Sequence, residues 1–260
     1  MANNTKVVIL CGGAGTRLRE QTEFMPKPLV RVGHSPILWH IMKIYSSFGY
    51  NDFVLSLGYK GDLIKEYFLN YDWRANDFSM NLGKSGSKTH HAKEKLDWNI
   101  TFVDTGLETL TAGRIKLVEK YVDGDDFLCT YGDGVANVNI KSLMDFHQKK
   151  GKKATLTAVH PTSKYGSIKF DKDGIASSFD EKPVLLDWIN GGFFAMKKDV
   201  FDEISTEGMF EQTTLSSLAK RKELAIFTHE KFWHCMDTYK DYEDLNKIYN
   251  SGTIPWFDFK

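Results

Sequence analysis

The segment that most limits what this chain can fold into is Lys6-Val7-Val8-Ile9-Leu10, which leads directly into Cys11-Gly12-Gly13-Ala14-Gly15-Thr16-Arg17-Leu18. A short, continuous apolar run reads as a strand buried on both faces, as in a parallel sheet covered by helices. A glycine-rich turn after such a strand presents backbone N–H groups at the carboxyl edge of the sheet, where open α/β folds bind ligands. The glycines let the main chain approach a triphosphate closely, and Arg17 adds a fixed cation with several donors. Pro26-Lys27-Pro28 follows, a second cation in a loop stiffened by its prolines. The pattern predicts nucleotide chemistry.

Two commoner glycine motifs do not fit. A P-loop ends in Gly-Lys-Ser/Thr, whereas this loop ends Gly15-Thr16-Arg17. A dinucleotide fingerprint needs a small residue where Leu18 stands and an acidic residue closing the next strand. Alone, the turn is also compatible with a plain strand-to-helix connection. Arg17 and the Pro-Lys-Pro unit argue for the ligand site.

Alternating strand and helix patterns fill the first 160 residues. Helical spacing runs from Ile37 to Phe48, Gly61 to Tyr71, Ala112 to Tyr121 and Ile140 to Lys150. Strands are expected at Asp52–Leu57, Asn99–Val103, Phe127–Tyr131 and Ala154–His160. Such alternation implies a parallel sheet with helices on both faces, so the fold class is α/β, Rossmann-like and mostly parallel. From Lys164 the texture changes to short strands at Ser167–Phe170, Ile175–Asp180 and Gly191–Met196, a smaller added β/α part. A helix near Gln212 to Lys220, a strand at Leu224–Thr228 and a helix near Tyr239 to Tyr249 close the chain. Asp72 to Leu96 is polar and shows no clear element, as in a functional or interface loop.

Lys+Arg and Asp+Glu both number 34, which leaves no global basic field for nucleic acid or an anionic membrane. Cys11, Cys129 and Cys235 form no CxxC pair and read as small buried apolar residues in a reducing compartment. No apolar stretch approaches the length of a membrane span, and the run before Cys11 is too short for a signal peptide. The expectation is a cytoplasmic protein built as one domain over residues 1–260.

Asp133, in Tyr131-Gly132-Asp133-Gly134, falls at the carboxyl end of an apolar strand, on the edge that carries the glycine loop. Asp237, in Trp233-His234-Cys235-Met236-Asp237-Thr238, precedes the last helix. Two carboxylates meeting at a triphosphate would hold Mg²⁺. Taken singly, Asp133 also reads as a turn residue and Asp237 as a helix N-cap. Glu181-Lys182-Pro183 repeats the proline-restricted lysine, and Asn190-Gly191-Gly192 offers an amide and open backbone suited to sugar hydroxyls.

Together these motifs resemble the sugar-1-phosphate nucleotidyltransferases, nearly from end to end. The glycine loop and Pro26-Lys27-Pro28 mark the broad family. Pro36-Ile37-Leu38-Trp39-His40-Ile41-Met42-Lys43, Thr130-Tyr131-Gly132-Asp133-Gly134-Val135 and Phe232-Trp233 with Met236-Asp237-Thr238 are similar to its glucose-1-phosphate cytidylyl branch. The resemblance implies CMP transfer from CTP to a sugar 1-phosphate, giving a CDP-sugar and pyrophosphate. It also implies in-line attack at the α-phosphorus with no protein nucleophile. By that resemblance Arg17 holds the departing phosphates, Lys27 neutralises the α-phosphate and Lys182 the sugar phosphate. Asp133 and Asp237 ligate Mg²⁺. Leu10, Gly12, Gly13, Ala14, Gly15, Thr16, Thr109, Arg114 and Gly132 enclose the nucleotide, while Glu181, Asn190 and Gly191 read the sugar. Residues 1–160 then carry the nucleotide and 161–260 the sugar. The family also implies a homo-oligomer, a hexamer, with Asp72–Leu96 available to a neighbouring subunit.

Two departures stand out. Thr111-Ala112-Gly113-Arg114 replaces the family's Thr-Gly-Gly-Arg, which leaves the arginine in place. Bulky Val184-Leu185-Leu186-Asp187-Trp188 stands where the family carries a glycine-rich linker, next to the implied sugar site, and is expected to reshape it. Uridylyl, thymidylyl or guanylyl transfer on the same fold stays open, as does a nucleotide-sugar-binding regulator without catalysis.

Overall fold

A computed structural model describes residues 5–83, 88–91 and 96–259. Its main sheet holds seven strands: β1 (Lys6–Cys11), β2 (Asp52–Leu57), β3 (Asn99–Asp104), β4 (Asp126–Tyr131), β5 (Ala154–Val159), β6 (Ile189–Lys197) and β7 (Leu224–His229). Their spatial order is β7-β5-β6-β4-β1-β2-β3. β1 lies between β4 and β2 and pairs in parallel with both, so both of its edges are hydrogen-bonded. Val7 and Ile9 enter one core cluster and Val8 the other, the alternation that a strand's period of two dictates.

Six of the helices matter for the layers: α1 (Ile37–Ser46), α2 (Gly61–Leu69), α3 (Thr111–Leu117), α4 (Ile140–Lys150), α5 (Ser216–Lys220) and α6 (Tyr239–Asn250). The apolar stripe of α1 (Ile37, Leu38, Ile41, Ile44 and Tyr45) packs on one sheet face with Leu245 of α6 and Trp256. Ala112 and Ile115 of α3 cover the other face with Leu218 of α5, Phe127 and Phe201. The α4 start is capped by the Asn139 side chain, which accepts from Ser142 N, and α4 stops at Gly151 in the left-handed region.

The sheet is mostly parallel, as expected, and one strand runs against the rest. β6 runs antiparallel to both β5 and β4. Consequently its first residues, Asn190 and Gly191, lie at the edge where the parallel strands end, and that edge carries the site. Ser167–Phe170 and Ala176–Asp180 form the expected separate hairpin. The Asp72–Leu96 segment is not devoid of elements: it overlaps a short helix, Tyr71–Ala75, and holds a two-stranded pairing of Asp77–Met80 with Lys88–His91. The remainder of that expectation, at residues 84–87 and 92–95, lies outside the described residues. Among the described residues no helix is long and apolar enough to cross a membrane.

Candidate active site

The glycine loop turns at Gly15, whose φ of 63° lies in the left-handed region that favours glycine. Leu18, fully buried, anchors the far end, and Leu18 N donates back to Gly15 O at 2.9 Å. Thr22 Oγ1 donates to Gly15 O and Leu18 O, both at 3.0 Å. The loop is thereby held open over the ends of β1 and β4. Below it Arg114 of α3 is only 5% exposed. Its guanidinium donates to the carbonyls of Leu57, Gly106 and Leu107 and to Thr105 Oγ1, at 2.7–3.1 Å. Gly12 must be glycine for this reason: a Cβ there would stand 2.0 Å from Arg114 Nη1.

A cavity of about 440 Å³ opens above this floor. Leu10, the whole Gly12–Arg17 loop, Lys27, Thr109, Arg114 and Gly132 line it, so the structure gathers every residue expected on the nucleotide side. A second cavity of about 360 Å³ adjoins it and is lined by Asn190, Gly191, Asp237, Cys235, Trp233 and Glu211 among others. Arg17, Thr111, Tyr131, Asp133 and Met209 line both.

Asp133 and Asp237 meet through a small antiparallel pairing outside the main sheet. Gly134–Ala136 pairs with Trp233–Cys235, and Met236 N donates to Asp133 O at 2.8 Å. Asp237 is not the helix cap: Thr238 is, in a reciprocal capping box with Asp241. The Asp237 side chain is therefore free to face the cavity. Lys27 Nζ donates to Asp133 Oδ2 at 2.7 Å and to Asp237 Oδ1 at 2.8 Å, and Arg17 Nη1 reaches Asp237 Oδ2 at 3.0 Å.

These charges tune one another. Burial pushes Asp237 up, but the hydrogen bond and charge of Lys27, with Arg17 and Lys164, prevail and hold it below the usual carboxylate range. Burial opposes the charge on Lys27, yet Asp133 and Asp237 raise its pKa above the ordinary lysine value. Ligand atoms of Asp133, Asp237 and Cys235 lie within 4.8 Å of one another. A pair of carboxylates that already holds one ammonium between them suits a divalent cation bound by one or two carboxylates plus phosphate oxygens.

Not every expected residue lines a cavity. Glu181 and Lys182 are exposed and line neither cavity. They sit past the Ser167–Asp180 hairpin, with Lys182 at a positive φ of 50°. The Val184–Trp188 linker also lines neither cavity, so it does not form their walls. It is drawn back along the end of β5, where Leu185 N donates to Pro161 O and Trp188 packs on His160. Cys235 is half-buried beside the two carboxylates, unlike Cys11 and Cys129, which are buried. Burial, Asp133 and Asp237 together push its thiol up. Sequence reasoning missed Glu211 and Lys164, which carry no motif, and it quoted Tyr131 only as part of one.

Fold and site together define a nucleotidyltransferase, and the comparisons agree. A model of the nucleotidyl transferase family matches residues 6–252, and the chain belongs to that family. It is 47% identical over 253 residues to the probable glucose-1-phosphate cytidylyltransferase of Bacillus subtilis (strain 168), covering 96% of this chain and 98% of that protein. It is 46% identical over 254 residues to the glucose-1-phosphate cytidylyltransferase of Salmonella typhimurium, with the same coverage. The crystal structure of HddC from Yersinia pseudotuberculosis shares the fold, with a TM-score of 0.68 at 23% identity over 94% of this chain and 99% of that one.

Proposed function

We propose that this enzyme transfers CMP from CTP to a sugar 1-phosphate, glucose 1-phosphate foremost, to give CDP-glucose and pyrophosphate. The observation that carries this reading is the 46–47% identity, over 96% of the chain, to proteins named for that reaction. The two adjoining cavities, sharing Arg17 and Asp133, supply the supporting geometry. CTP occupies the cavity under the glycine loop, and the acceptor occupies the one beside Asn190 and Gly191.

Catalysis then rests on positioning and charge stabilisation. Arg17 holds the departing phosphates, and Lys27 faces the charge that grows at the α-phosphorus. Arg114, with its donors committed to the protein, shapes the Gly106–Leu107 wall, while Thr109 and the backbone of Leu10 to Thr16 enclose the nucleoside. Asp133 and Asp237 hold Mg²⁺, which supplies charge neutralisation at the phosphates when bound. Contact of Glu181 and Lys182 with the acceptor requires the Ser167–Asp180 hairpin to approach the cavity.

The chain works as one unit, residues 1–160 serving the nucleotide and 161–260 the acceptor, in the cytoplasm. It self-associates, as a hexamer by family resemblance. Exposed Tyr165, Ile168, Phe170, Ile175, Phe179 and Leu186 on and around the hairpin support an interface there. The deciding experiment is pyrophosphate release with CTP, UTP, dTTP or GTP against a panel of sugar 1-phosphates. The expected result is highest kcat/KM for CTP with glucose 1-phosphate. A higher value for another pair reassigns the substrates, and none for any pair leaves a binding protein.

A further inference from the structure

Glu211 opens a π-helical turn, Glu211–Leu215, a rare wide turn that is frequent at functional sites, and it lines the second cavity. Its Oε1 accepts from the Tyr131 hydroxyl, and its Oε2 accepts from Thr111 Oγ1 at 2.9 Å. Thr111 Oγ1 in turn accepts from Phe210 N at 2.8 Å, so its single proton is directed at Glu211. The Tyr131 ring is seated from both sides. It lies edge-on to Phe194, and Gly192 makes room for it, since a Cβ there would stand 2.6 Å from Tyr131 Cδ2.

An ionised carboxylate only accepts hydrogen bonds, so the polarity of the next links is set. Tyr131 must donate to Glu211, which leaves its oxygen to accept from Asn190 Nδ2 at 3.0 Å. Asn190 Oδ1 then accepts from Gly192 N at 2.8 Å. The amide is pinned with its nitrogen on the Tyr131 side and its oxygen on the backbone. One N–H and one lone pair of Asn190 stay available to the cavity. The relay is half-buried, and with each of its links paired it favours one geometry of the amide.

We propose that Glu211 is a positioning residue for the acceptor: through Tyr131 it fixes the Asn190 amide so that the second cavity presents one defined donor and acceptor to a sugar's hydroxyls. The proposal rests on the acceptor lying in that cavity, as read above. Glu211 does not touch the reacting atoms. Glu211 lines the second cavity and not the first, so its effect should fall chiefly on acceptor recognition.

Glu211→Gln is the informative variant, because it keeps the shape but can donate as well as accept, and so releases the polarity of the relay. The measurement is calorimetric binding of CDP-glucose and of CDP, with the KM of CTP and of glucose 1-phosphate alongside. In Glu211→Gln the preference for CDP-glucose over CDP should fall about tenfold, and the acceptor KM should rise by about the same factor, while CDP affinity and CTP KM stay within about twofold. Tyr131→Phe should reproduce this loss, and the double variant should lose no more than either single one. If Glu211→Gln does not fold, Tyr131→Phe carries the same expectation alone. An unchanged preference in both variants overturns the proposal while leaving the acceptor reading intact. Equal losses for CDP and CDP-glucose overturn it in favour of a purely structural role. A parent protein that binds CDP-glucose no tighter than CDP overturns the acceptor reading and the proposal together.

Discussion

Lys27 Nζ donates to Asp133 Oδ2 at 2.7 Å across 106 residues of sequence, and the same ammonium bonds Asp237 at 2.8 Å. A cation that enters between these carboxylates has to displace that ammonium, and an arriving phosphate offers the ammonium a new partner. On the proposed reading, nucleotide and metal binding should be coupled through this one side chain.

Lys27→Ala should lower kcat far more than it weakens CTP binding. The charge that Lys27 is proposed to face grows during displacement at phosphorus, and loss of such a contact costs about 2.7–4 kcal/mol, roughly a hundred- to a thousandfold in rate. Steady-state kinetics decide the matter. A near-normal kcat with a raised KM for CTP would mean that Lys27 serves binding alone.

Free metal gives a second view of the same triad. Mn²⁺ titrated into the protein without nucleotide, and followed by electron paramagnetic resonance, should bind Lys27→Met more tightly than the parent. The variant removes the ammonium that both carboxylates hold, taking that partner from Asp133 and leaving Asp237 with Arg17. Asp133→Asn and Asp237→Asn, built on Lys27→Met, should each abolish the gain. Mn²⁺ binding that is equal in parent and Lys27→Met would place the metal elsewhere.

The loop, its cations and most strands are legible in the sequence because each rests on a local pattern: an apolar run, a glycine turn, a proline-flanked lysine. What brings Asp133 to Asp237 is not local. It depends on Gly134–Ala136 pairing with Trp233–Cys235, two three-residue strands almost a hundred positions apart and too short for any periodicity. The reversal of β6 is equally silent, since its buried run reads alike in either direction, yet it alone puts Asn190 at the working edge. Glu211 lies in a stretch of helical pattern whose wide turn leaves no mark in residue types. Family resemblance supplied the partnership of Asp133 and Asp237, and the structure gives its physical cause.

Gly12 and Gly13 are adjacent but should respond differently to alanine. A Cβ at Gly12 meets Arg114 Nη1 at 2.0 Å, and that guanidinium is tied to four protein acceptors, so it cannot simply swing aside. A Cβ at Gly13 meets nothing within 4 Å. Gly12→Ala should therefore cost about 1–3 kcal/mol of stability from overpacking, and Gly13→Ala should cost little. Urea unfolding of both variants measures this. Equal midpoints would show that Arg114 relocates without penalty.

Acid should destabilise the fold well before its carboxylates titrate, through His40. The ring is 1% exposed and bonded as a neutral tautomer, with Nε2–H donating to Val32 O at 2.9 Å and Nδ1 accepting from Trp256 Nε1 at 3.3 Å. Burial lowers its pKa from 6.5 to about 4, against smaller opposing effects of the Val32 and Ser35 backbone. Between those two values the unfolded chain binds a proton that the folded chain refuses. Stability is therefore complete above the unfolded value and declines as the pH falls through the window. From pH 7.5 to pH 5 this group alone should remove about 2 kcal/mol. Burial also lowers His147, His229 and His234, so they contribute with the same sign. Urea unfolding at the two pH values should show the loss in the parent, and a smaller loss in His40→Gln, which can donate and accept but does not titrate. An identical pH dependence in parent and variant would show that His40 takes up its proton as readily in the folded protein as in the unfolded chain.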